Sequence, residues 1–260
     1  MKKICFTWGL TLTALLMMAA PALAQGNNKV SRSENPVEWA RANDASNDRG
    51  LLSSHADTLR EGEVAINSYE LFFFGASYGV TDDFQLSFTT LLPVFSEFPL
   101  VGLINGKYVF KRTNRMVLSA SANLAFASVD GDGGGLIGAS FNFDRYFGKE
   151  GTLGTHLAVD LQGAFAGGEL SNGALIRFTG GLTIQAGNRV RLLAELMLPT
   201  GFVGGEFKSA EFFLLNYGVR FHGDTLAVDL AFIRPVIDGD DGFTDVLPLG
   251  LPFVAFSARF

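Results

Sequence analysis

Past residue 24 this 260-residue sequence contains no cysteine, because its single Cys5 sits in the leading apolar stretch. The rest of the chain therefore has no disulfide framework and no thiol chemistry. Long hydrophobic runs are missing as well. No later window approaches the ~20 consecutive apolar residues that a membrane-spanning helix requires. Tryptophan is confined to Trp8 and Trp39, and lysine is scarce in the second half. The balance is acidic, with a formal net charge of −6. That argues against nucleic acid as a partner, which calls for a basic stripe.

What is present begins with MKKICFTWGLTLTALLMMAAPALA. Two lysines, an apolar stretch and Ala22-Leu23-Ala24 form the three parts of a secretory signal, so residues 1–24 are expected to be removed and the mature chain to start at Gln25. The other reading is an N-terminal membrane anchor; Pro21 and the small-x-small motif favour cleavage. Cys5 lacks the small-residue context of a lipoprotein box. Loss of two lysines deepens the net charge to −8, and about 236 residues remain, enough for one large β domain.

From Glu63 onward the chain breaks into period-two segments. FQLSFTT (84–90) sets Phe84, Leu86 and Phe88 against Gln85, Ser87 and Thr89. LGTHLAVDLQ (153–162) sets Leu157, Val159 and Leu161 against His156, Asp160 and Gln162, and IRFTGGLTIQ (176–185) and TLAVDLAF (225–232) behave alike. Such dyads predict strands with one apolar and one polar face. The connections alternate in length. Short turns are expected at 80–83, 111–115, 148–151, 187–188 and 222–224, and longer links near 93–100, 129–135, 166–173, 199–209 and 236–247. One rim of tight turns and one of longer loops is the layout of a transmembrane β-barrel. The predicted fold is all-β: an antiparallel up-and-down barrel of about twelve strands, with ten as the fallback. About eleven segments are countable after Glu63, and an even number is the rule, so GLLSSHADTL (50–59) is taken as the extra first strand and the barrel as residues 50–260.

Residues 25–49 are polar and low in aliphatics. Asn35-Pro36-Val37-Glu38 carries an N-cap, a first-turn proline and a capping-box glutamate, which predicts a short helix to about Ala42 bearing Trp39. The simpler expectation for this segment is a mobile periplasmic tail; the alternative is a plug entering the barrel.

A period of two does not say whether the apolar face meets lipid or a core. The polar face decides it, being Ser, Thr, Asn, Gln and Gly with mixed charges rather than the Lys and Glu of a soluble surface. The chain also ends VAFSARF, with Val254, Phe256, Ala258 and Phe260 at alternate positions. On these residues it resembles bacterial outer-membrane β-barrel proteins. A weaker likeness lies in TLREGEVAI and YGVTDDFQLSFTTLLP, similar to the opening hairpin of little-characterised barrels, some related to solute transporters. The resemblance implies the outer membrane of a Gram-negative bacterium, contact with its lipids and lipopolysaccharide, and a terminal strand read by the barrel assembly machinery. It departs in its girdle, where Trp and Tyr are usual and phenylalanine must serve.

The candidate functional residues are the charges of the polar face, assigned as lumen- or pore-lining: Lys107, Asp144, His156, Asp160, Arg177, Arg191, Glu195, Arg220, Asp229 and Arg259. A balanced set can act as a transverse field that selects small polar solutes, or can pair off and fill the lumen. The expected function is a passive channel for small solutes. The alternative is a non-conducting structural or surface-binding barrel, and a lipid-modifying enzyme follows behind it. No nucleophile and base stand at a spacing that singles out a catalytic site, and no cofactor is expected. Asp130, Asp132, Asp238, Asp240 and Asp241 form acidic-glycine runs in two links; solvated loops are preferred there over calcium sites, because the closing glutamate is missing.

Overall fold

The computed structural model describes residues 32, 34–70, 72–91, 100–129, 132–148, 150–166, 169–203, 206–209, 212–237 and 247–260. The expected signal peptide, the start of the polar segment, Asp130, Asp238, Asp240 and Asp241 lie outside these residues. One helix, α1 (Pro36–Asn43), precedes the strands β1 (Val64–Tyr69), β2 (Phe73–Thr81), β3 (Phe84–Leu91), β4 (Leu100–Arg112), β5 (Met116–Val129), β6 (Asp132–Phe147) and β7 (Leu153–Ala166). Then follow β8 (Glu169–Gln185), β9 (Val190–Val203), β10 (Glu206–Ser209), β11 (Phe212–His222), β12 (Leu226–Ile237) and β13 (Leu251–Arg259).

Every neighbouring pair is antiparallel, and β13 returns to β1 with Ala65 opposite Arg259 and Tyr69 opposite Ala255. The sheet is therefore closed and has no edge to protect. The short β10 pairs with the far end of β9 while β11 pairs with its near end, so both lie along one flank of β9 as a single stave. The barrel has twelve staves.

The period-two pattern sorts as predicted. Leu86, Phe88, Ile104, Phe110, Leu157, Leu161, Phe178, Leu182 and Ile184 are exposed on the outside. Gln85, Lys107, Asn142, His156, Asp160 and Thr179 are buried inside. An apolar exterior around a polar interior is the arrangement that satisfies every backbone group while meeting hydrocarbon, and the protein is a transmembrane β-barrel. Among the described residues no helix is long and apolar enough to cross a membrane.

The tight turns gather on one rim, between β2 and β3, β4 and β5, β6 and β7, β8 and β9, and β11 and β12. The other rim differs from expectation. Around 129–135, 166–173 and 199–209 the chain is strand almost throughout: Val129 pairs with Asp132, Ala166 with Glu169 and Val203 with Glu206. Length that read as loop extends the staves instead, because glycine and small residues such as Gly133 and Gly134 remain compatible with the ladder.

The twelve staves do not include residues 50–59. Residues 50–59 form no strand, and the barrel proper begins at Val64. The missed strand comes from a turn after Tyr69, where Glu70 adopts φ 53° and Phe72 N–H donates to Tyr69 O at 3.2 Å. The surrounding Leu71-Phe72-Phe73-Phe74 reads as one apolar run, so no turn signal separates β1 from β2.

Candidate functional site

Among the described residues before β1, Asp44–Leu59 occupy the lumen. Asn35 accepts the Glu38 N–H through its side-chain oxygen at 3.1 Å, and Pro36 opens the helix as the capping pattern predicts. Helix α1 lies against the short-turn rim. Val37 N–H donates to Asn114 O at 3.3 Å in the β4–β5 turn, and Arg41 Nη2 donates to Asp82 O at 3.3 Å in the β2–β3 turn. Pro36 stands where a Cβ on Gly151 would fall, which explains the glycine of the β6–β7 turn. Past the helix, Ala45 N–H donates to Gly223 O at 2.8 Å in the β11–β12 turn. Trp39 borders Asn188 and Arg189 of the β8–β9 turn. The helix and its exit thus meet four of the five short turns and face the fifth across a small space.

From Asp44 the chain rises into the barrel, turns over at Gly50–Ser53 and descends to Arg60. We call residues 36–59 the plug. Its apolar anchoring is thin. Leu51 packs on Leu193, Ala231, Phe253 and Ala255, and Val37 and Ala56 pack on Val109 and Val117. Each buried aliphatic of this size contributes about 1.5–3 kcal/mol. The small Ala40, Ala42 and Ala45 and Leu59 are buried as well, but most of the specific contacts that seat the plug are polar.

Eight of the ten candidate residues take part in that polar seating. Asp229 takes Arg220 in a two-pronged pair, Nε to Oδ1 at 2.7 Å and Nη2 to Oδ2 at 3.0 Å. Arg49 of the plug reaches the same carboxylate at 2.7 Å. Arg220 also donates through Nη1 to Ser46 O and Arg49 O, and through Nη2 to Gly50 O. Asp44 of the plug sits between Arg191 at 2.7 Å and Arg220 at 3.4 Å. Burial would raise the Asp44 carboxyl, but these two guanidinium groups outweigh it and hold the group well below the usual carboxylate range. Glu195 caps the plug's turn, accepting Leu51 N–H at 2.8 Å, Leu52 N–H at 3.0 Å and the Ser53 hydroxyl at 2.8 Å.

On the opposite wall Lys107 Nζ donates to Asp48 O and His55 O at 3.0 and 2.9 Å. Asp144 accepts Ala56 N–H at 2.9 Å and His156 Nδ1–H at 2.6 Å, and the His156 ring stacks on His55 with centroids 4.7 Å apart. Arg259 donates to Arg41 O, Ala42 O and Asp224 O at the rim. Burial lowers His55 to about 3, with Asp144 opposing only in part.

Only Asp160 and Arg177 stand apart from the plug. Arg177 Nε donates to Asp160 Oδ2 at 2.9 Å, and both face a cavity of about 440 Å³ on the side of the long-link rim, which Lys107 also borders. Of the two alternatives for the charged set, a transverse field or pairing, the described residues show pairs, though none from wall to opposite wall. Wall–wall pairs join neighbouring strands, β6 with β7, β7 with β8 and β11 with β12. Across the lumen the wall charges meet the plug, because a side chain reaches an adjacent strand or an inserted segment far more easily than the opposite wall.

Several participants were not singled out in the sequence. Gln85, 2% exposed, accepts Leu59 N–H and donates to Asp48 Oδ2, both at 2.9 Å. Arg112 pairs with Asp57 at 2.8 Å. His222 donates from Nδ1 to Asn43 O at 2.7 Å and leaves Nε2 to accept from Gln185. The available signal was the charge density of residues 41–57, with Arg41, Asp44, Asp48, Arg49 and Asp57 complementary to the wall set.

The terminal residues behave as their parity requires. Ser257 and Arg259 point inward and are buried, whereas Phe260 is 75% exposed at the short-turn rim, its N–H donating to Val64 O at 2.8 Å. Among the described residues no group of His, Cys, Asp and Glu could hold a metal ion.

No protein-family model matches the sequence, and no curated protein matches it. Solved structures that resemble it include the NanC porin, at 9% identity and a TM-score of 0.45, covering 76% of this chain and 97% of that one. The KdgM porin follows at 10% identity and 0.43, covering 76% and 96%. LpxR from Salmonella typhimurium stands at 9% and 0.40, covering 76% and 99%. Identities and scores of this size carry nothing about activity, and the fold stands on the chain's own closed ladder.

Proposed function

We propose that the protein is a channel for small polar solutes in the outer membrane of a Gram-negative bacterium, held shut at rest by its own residues 36–59. The observation that carries this reading is the polarity of the plug's seating. Arg191, Glu195, Arg220, Asp229 and Lys107 bond to the plug's backbone or charges, so water can replace each contact if the plug leaves. A buried ion pair gains little over its solvated components, which makes such an interface exchangeable in a way that an apolar one is not. A barrel that never conducts can fill its lumen with its own side chains. Here a continuous segment on one end of the chain does so.

With the plug withdrawn, the charged set assigned as pore-lining becomes the wall of the lumen and sets ion preference. Insertion would follow recognition of Val254, Phe256, Ala258 and Phe260 by the barrel assembly machinery, after cleavage behind Ala24. A catalytic role has less support: Asp144 and His156 are buried beneath the plug, at 6% and 2% exposure, away from any substrate.

Planar-bilayer recording tests the reading. The mature chain is expected to conduct rarely, and a chain beginning at Arg60 to give stable, salt-dependent steps whose ion preference shifts in Arg191→Glu. The point variant Leu51→Asp, which keeps the chain length, should raise the open probability. Silence from both, when heat-modifiable on a gel and β-rich by circular dichroism, would replace the channel with a non-conducting, surface-binding barrel.

A further inference from the structure

The plug does not fill the barrel evenly. Leu51 and the Arg49–Asp229 pair draw it onto β9, β12 and β13. Along β2–β8 a cavity of about 440 Å³ is left, within the ~300–1,000 Å³ range of small-molecule sites. The plug itself supplies one side of it, through Asp48, Arg49, Leu52, Ser53 and Ser54.

Small-molecule sites are usually lined mainly by apolar side chains; here Leu52, Leu103, Ala125, Leu136 and Ala158 are outnumbered by polar residues. Its wall is dominated by hydroxyls and amides, among them Ser87, Ser121, Asn123, Asn142 and Gln162. The cations that border it are already answered. Arg177 is on Asp160, Arg49 is on Asp229, and Lys107 is on two plug carbonyls. An anionic ligand would find no unmatched cation and would lose its hydration, and a cationic one would find only the Asp48 carboxylate, whose Oδ2 already accepts from Gln85. Meanwhile Ser121 Oγ and Asn142 Nδ2, on residues 6% and 1% exposed, have no protein hydrogen-bond partner, and neither does Asp48 Oδ1 on the plug side. Buried polar atoms without partners lining one cavity call for something that both donates and accepts.

We propose that this cavity is a binding site for a neutral polyhydroxylated solute of sugar size, bridging wall and plug so that its occupancy holds the plug in place. A hydroxyl gives and takes hydrogen bonds without bringing charge, which suits Asn142 as donor, Asp48 as acceptor and Ser121 as either. A ligand that touches both bodies favours the state in which they are together, by mass action. The binding stands on the cavity alone, and the linkage to the plug rests on the channel reading above.

Isothermal titration of the folded mature protein in detergent tests the site, with maltose as the neutral probe and glucuronate and glucosamine as charged ones. Maltose is expected to bind at least tenfold more tightly than either charged probe. Asn142→Leu and the milder Ser121→Ala should weaken maltose without changing heat-modifiability. Hydrogen exchange at residues 44–59 should slow when maltose is present. No binding of maltose, tighter binding of a charged probe, or binding indifferent to both variants would overturn the site. Binding with unchanged exchange would overturn the linkage. Maltose binding by a protein whose plug-free form stays silent would remove the channel and leave the site standing.

Discussion

Arg49 of the plug and Asp229 of β12 lie 2.7 Å apart across 180 residues of chain, and Arg220 holds the same carboxylate from the neighbouring strand. Removal of either plug partner leaves a different debt. Without Arg49, Asp229 keeps Arg220; without Asp229, Arg49 loses its carboxylate and Arg220 keeps only Asp44 at 3.4 Å. Asp229→Ala should therefore destabilise the protein more than Arg49→Ala. The double-mutant cycle should return a coupling of about 1–3 kcal/mol, measured by urea unfolding in detergent or lipid. A coupling indistinguishable from zero would mean that the pair does not seat the plug.

Glu195 acts on backbone, not on a charge partner. Glu195→Gln keeps the shape but offers one acceptor oxygen where two served Leu51, Leu52 and Ser53. A buried N–H left unsatisfied costs about 1–3 kcal/mol. The expected result is faster hydrogen exchange at residues 50–53 with the strand amides unchanged. Equal acceleration across the strands would assign Glu195 to barrel stability instead.

Acid should loosen the plug through His55. Its value is about 3 in place against 6.5 for an exposed histidine, so the released plug binds a proton that the seated plug refuses. The contribution is fully present above pH 6.5 and is lost as pH falls toward 3, by about 1.4 kcal/mol per pH unit. Asp44, depressed by Arg220 and Arg191 against its burial, keeps its contribution until below 3.8. Open probability or exchange at residues 44–59 should rise between pH 6.5 and 5, and His55→Phe should flatten that rise.

Gly79 marks where the chain passes from plug to wall. A Cβ there would stand 1.9 Å from Arg60 O, a backbone atom that cannot swing aside. Gly79→Ala should lower the unfolding midpoint by about 1–3 kcal/mol equivalent, whereas Gly180→Ala, which meets only a Leu157 methyl at 3.8 Å, should not. Similar midpoints for the two variants would mean that the Arg60 passage yields readily.

Phe260 separates assembly from stability. It is 75% exposed and contributes its backbone to the closing ladder, so Phe260→Ser should change the stability of refolded protein by no more than about 0.5 kcal/mol. Its yield in the outer membrane of cells should nonetheless fall severalfold. Equal losses in both assays would make Phe260 a packing residue and not a signal.

The sequence by itself determined the barrel, the direction in which nearly every strand residue points, and the capped helix at Asn35-Pro36. These are local: alternation is written in residues two apart, and a cap in residues three apart. Tertiary structure decided the strand break at Tyr69–Phe73, where an apolar run conceals the turn, and the strand character of stretches that read as loops. It also decided that residues 50–59 belong to the lumen and not the wall. Above all it decided the partners of the charged set. Arg220 with Gly50, Glu195 with Leu51 and Asp144 with Ala56 meet across separations of 170, 144 and 88 residues. A lone sequence names which side chains face inward, but the segment they face is chosen by closure of the barrel around it.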